Sequence, residues 1–61
     1  MLNISEANSL AKWIQSWKKT YRENPKINEC ITWFEWKFRE RILSQSDKNS
    51  ILTILEYNSE E

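Results

Sequence analysis

Cys30 is the one thiol in this chain, and no histidine is present to take its proton. A thiol reacts as the thiolate, which needs a basic or electropositive neighbour to form near neutral pH. Cys30 instead falls on an apolar stripe with Ile27, Ile31, Phe34, Phe38 and Ile42, and reads as a small core residue. Paired carboxylates are the other route to acid–base work. Glu29 and Glu40 stand three turns apart on any common helix, too far to flank one bond, and Glu35 falls toward the solvated side. Phosphate cradles rely on glycine for close backbone approach, and the sequence has none. One cysteine without histidine gives neither a zinc-site spacing nor an internal disulfide. The expectation is a non-enzyme, with no metal, no cofactor and no small-molecule substrate.

What the residues do supply is contact surface. Trp13, Trp17, Trp33 and Trp36 are large amphipathic anchors of the kind that fill cores and interfaces. Between Lys12 and Arg41 they interleave with eight basic residues against four acidic ones, although the whole chain is neutral. Phosphate contacts combined with aromatic stacking is how single-stranded nucleic acid is held, which makes Lys18, Lys19, Arg22, Arg39 and Arg41 the candidate nucleic-acid contacts. Solvated helix faces are the simpler explanation of the same charges. Trp13 and Trp17 share a face with Leu10 and Ile14, so they are expected in the core.

Three elements must position these groups. Leu10, Trp13, Ile14, Trp17 and Tyr21 recur at helical spacing, with Lys12, Gln15, Ser16, Lys19, Arg22 and Glu23 opposite. Asn3 or Ser5 can cap this helix, predicted over about 5–23, and Asn24-Pro25 ends it. The same Asn24-Pro25 pair suits a new helix start, predicting a second helix over about 25–44. That helix would be apolar on two faces. Its main stripe joins the core, while Trp33, Trp36 and Leu43 form a second patch framed by Glu29 and Glu40. A short third helix over about 48–57, capped by Ser46 or Asp47, carries Ile51, Leu52, Ile54 and Leu55, ahead of a frayed tail 58–61.

The predicted fold is therefore all-α, a single domain built as a helical hairpin plus a short third helix. A rival places the first helix on a β-hairpin, because Thr32 to Arg39 also alternates and Ile51 to Tyr57 is rich in β-branched residues. The lack of glycine weighs against tight hairpin turns. At 61 residues the chain lies near the lower limit for an unaided core, so dense aromatic packing or oligomerisation is expected to support it. The N-terminal residues resemble no secretory signal and no window approaches a membrane span, which points to a cytoplasmic setting without membrane contact. The expected function is protein–protein interaction: a small adaptor, inhibitor or regulatory factor that meets a protein partner or a copy of itself as a homodimer. The contacts would be Trp33, Trp36, Leu43, Glu29 and Glu40.

Overall fold

Asn3 starts the first helix by a reciprocal exchange. Its side chain accepts the Glu6 amide at 2.8 Å, and the Glu6 carboxylate accepts the Asn3 amide at 3.1 Å, closing a capping box. This exchange tethers Glu6, which is why a carboxylate-bearing residue is buried at the start of the helix. The computed structural model describes residues 2–39 and 42–59, and in them α1 runs Ile4–Tyr21, α2 Ile27–Lys37 and α3 Gln45–Ser59. No strand occurs among the described residues. The β-hairpin rival is thereby excluded: its first strand falls largely in α2 and its second in α3, where Ile51 and Leu55 bury at helical spacing.

α1 ends at Arg22, which adopts φ 61°, ψ 29° and donates its amide to the Lys18 carbonyl at 2.7 Å. This left-handed geometry is the usual way to terminate a helix, but the usual residue is glycine. A chain without glycine must place a Cβ there instead.

α2 is shorter than the periodicity predicts. Pro25 is buried in the connector and does not take the first helical position; Lys26 precedes the helix in extended conformation. Its carbonyl accepts the Glu29 and Cys30 amides, while its own amide donates to the Glu29 carboxylate at 2.8 Å. At its other end, α2 stops at Lys37 because Phe38 leaves helical geometry and turns its ring onto Phe34, at a centroid distance of 4.7 Å. Ile42 therefore departs from the expected main stripe and is 92% exposed. Leu43 packs on the core from the connector, off α2 altogether.

α3 begins earlier than predicted. Ser44, not Ser46 or Asp47, is the capping residue: the Ser44 hydroxyl accepts the Asp47 amide, and the Asp47 carboxylate accepts the Ser44 amide, both at 3.2 Å. Asp47 serves as the reciprocal partner and is buried for the same reason as Glu6.

The three helices enclose Leu10 and Ile14 of α1, Cys30 and Phe34 of α2, and Ile51 and Leu55 of α3. Ile31 and Phe38, predicted among them, are only half-buried at the core's edge, and so is Trp13. α3 is the common support, packing against both α1 and α2. Its C-terminal turn is stitched to α1 by Gln15, which donates to the Asn58 side chain at 3.2 Å, and by the Lys18 ammonium, which donates to the Asn58 carbonyl. The Cα radius of gyration, 10.8 Å, is close to the ~10.5 Å expected of a compact chain of this length.

The strained cap generates a prediction. Arg22→Gly removes the Cβ from a left-handed position, whose penalty of about 1–2 kcal/mol outweighs the extra backbone freedom glycine brings to the unfolded chain. Urea denaturation of this variant is expected to show a gain of about 0.5–1 kcal/mol. A loss of stability would show that Arg22 does not hold this geometry.

Candidate functional site

Along α1, Trp13, Trp17 and Tyr21 lie at four-residue spacing, so their rings meet in a continuous ladder: 5.3 Å between the first pair and 4.5 Å between the second. Across from it, Trp33 on α2 lies against Trp13, with ring centres 5.1 Å apart and planes inclined by 18°. Phe38 meets Trp33 edge-on at 6.3 Å, and Phe34 meets it edge-on at 6.5 Å, so the ladder continues into the core without a break. Offset and edge-on contacts of this kind contribute about 0.5–1.5 kcal/mol each beyond simple burial.

A groove of 440 Å³ runs between α1 and α2, lined by all four tryptophans with Asn28, Glu29 and Thr32. Clefts that hold a ligand or an anchoring side chain span roughly 300–1,000 Å³, so this one has a useful size. Trp36 stands at its exposed side, 71% accessible. Trp33, by contrast, is half-buried under the stack. The Trp17 indole N–H is enclosed and has no acceptor among the described residues, a cost of about 1–3 kcal/mol. Ring contact, not hydrogen bonding, is what holds that indole.

The structure divides the predicted protein contacts. Trp33, Trp36 and Glu29 share the groove, while Leu43 packs on the core from the connector after α2. Glu40 and Arg41 lie outside the described residues. The predicted nucleic-acid contacts are distributed over several elements. Lys18 is bound to α3, Lys19 is exposed beside a shallow depression it shares with Lys12, Arg22 is the α1 cap, and Arg39 is exposed in the turn after α2. Trp13 and Trp17 belong to the groove rather than to the enclosed core, contrary to their helical phase. Phase gives the face of a helix and not how far along it cover extends. Both rings stand opposite α2 across the groove and stay half-buried, since the two helices flank that opening without closing over it.

Burial also settles the state of Cys30. Its thiol is enclosed between the helices and its pKa is pushed up to about 11, mainly by desolvation and further by the adjacent Glu29 carboxylate. No helix among the described residues is long and apolar enough to cross a membrane. Comparison with protein-family models, with curated proteins and with solved structures finds no match to this chain.

A raised thiol pKa has a defined consequence. The native state holds the Cys30 proton more tightly than the unfolded chain, whose thiol titrates near 9.0, so this contribution is intact below that pH and lost as pH rises toward about 11. At pH 8, labelling of Cys30 by a disulfide reagent is expected to be limited by global opening and to accelerate with urea in step with unfolding. Immediate labelling of the native protein would show the thiol to be accessible.

Proposed function

We propose that this chain is a small protein–protein interaction module, an adaptor, inhibitor or regulatory factor, working through the tryptophan groove between α1 and α2. The observation that carries this reading is Trp36. It is left 71% exposed beside three indoles that are at least half covered, although its burial would be favourable by about 25 cal/mol for each Å² of apolar surface removed from water. An exposed aromatic in a concave apolar setting is the form that interface hot spots take. The partner is a foreign protein or a second copy of the chain, and the setting we assign is cytoplasmic.

Binding, rather than catalysis, is the role these side chains support. The only thiol is enclosed and holds its proton, and Glu29, the one carboxylate among the groove's described residues, accepts the Lys26 amide. A nucleic-acid role draws less support. Lys18 is engaged with α3, and the one charged residue among the described lining of the aromatic groove is acidic, which repels phosphate.

Trp36→Ala tests the proposal. Trp36 makes no ring contact with another aromatic among the described residues, so its removal is expected to leave the helical circular dichroism spectrum and the thermal melt largely intact. Association with a copy or a partner, measured by sedimentation or by retention on the immobilised protein, is expected to weaken by about 2 kcal/mol or more, roughly thirtyfold. Equal retention by wild type and variant, or collapse of the fold in the variant, would contradict this function.

A further inference from the structure

The groove is acidic as well as aromatic. Among the described residues, Glu29 is the only charged one lining it; Asn28 and Thr32 are neutral, and the other walls are indoles. One Glu29 oxygen accepts the Lys26 amide at 2.8 Å, which anchors the carboxylate at the first turn of α2. Indole faces carry the negative side of the ring quadrupole, so rings and carboxylate favour the same visitor, a cation. None of the described cations lines the groove: Lys12 and Lys19 border a separate shallow depression with Gln15 and Ser16, and Lys18 reaches α3. Two-fold pairing of this face with itself would put two Glu29 carboxylates, and no cation from the described lining, into one interface. Charge complementarity therefore selects a foreign, basic occupant.

We propose that the groove seats an arginine side chain of a partner protein, with the guanidinium stacked on the indoles of Trp33 and Trp36 and its N–H fork directed at Glu29. This rests on the reading of the groove as a protein-binding surface. Arginine is favoured over lysine because the guanidinium is planar and more weakly hydrated than an ammonium, so it stacks on an open ring face and still donates to a carboxylate at its edge. Trp36, 71% exposed, offers the accessible ring, and Trp33 is held in place by its stack on Trp13.

The probe is a short peptide with one arginine between two leucines, compared with a twin carrying neutral citrulline in its place. Both are titrated against the full chain while the tryptophan indole N–H signals are followed by NMR. The arginine peptide is expected to shift the Trp33 and Trp36 signals saturably. The citrulline twin, and the arginine peptide on Glu29→Gln, are each expected to bind about tenfold more weakly. Glu29→Gln keeps an oxygen to accept the Lys26 amide, so its circular dichroism spectrum should match the parent's. Equal response to the two peptides, or no response, overturns the arginine assignment. If Trp36→Ala still abolishes selective retention of a protein in that case, the interaction reading stands and only the assigned ligand falls. Self-association lost in Trp36→Ala would give the groove to a second copy and likewise overturn the assignment.

Discussion

The stack of Trp13 on Trp33 is the contact on which the rest of the surface depends. α1 and α2 differ in length by seven residues and are both supported by α3, so something beyond the shared core must fix how they lie against each other. Two indoles with ring centres 5.1 Å apart do this at the rim of the core. The stack occupies one face of each ring, and the groove forms beside it. Trp17 continues the ladder along α1 and Trp36 continues the face of α2, and both line the groove. An aromatic pair that closes the core thus also creates the opening next to it.

The same economy appears at the helix ends. A chain of 61 residues without glycine has few ways to end and restart a helix. It uses carboxylates: Glu6, Glu29 and Asp47 each accept the amide three residues before them, and two of the three are buried in doing so. Each such bond satisfies an amide that the first helical turn leaves unpaired. Where a carboxylate has no place, at the end of α1, the chain accepts a left-handed arginine instead. Glu29 is the one capping carboxylate that also lines the groove, and this joins the start of α2 to the charge of the proposed site.

Much of this is legible in the residues. Three helices, the cap at Asn3, the break at Asn24-Pro25 and the placement of Cys30, Leu10, Ile14 and Phe34 in the core follow from periodicity and turn chemistry. The end of α2 does not. Helical phase runs on through Ile42 and Leu43, and only the packing of Phe38 back onto Phe34 and Trp33 makes leaving the helix favourable, a tertiary effect invisible in the local pattern. The second face of α2 is legible in part. Trp33, Trp36 and Glu29 are marked by their phase, whereas the contribution of Trp13 and Trp17 depends on how far α2 covers α1, which no spacing rule contains.

A double-mutant cycle between Trp13 and Trp33 measures the central contact directly. Stability to urea would be determined for the parent, Trp13→Phe, Trp33→Phe and the double variant, since phenylalanine keeps an apolar ring in each place while removing the matched indole faces. If the stack ties α1 to α2, the two substitutions are non-additive, with a coupling of about 0.5–1.5 kcal/mol. Strict additivity would mean that the indoles are neighbours without mutual support, and that the geometry of the groove is set by the core alone.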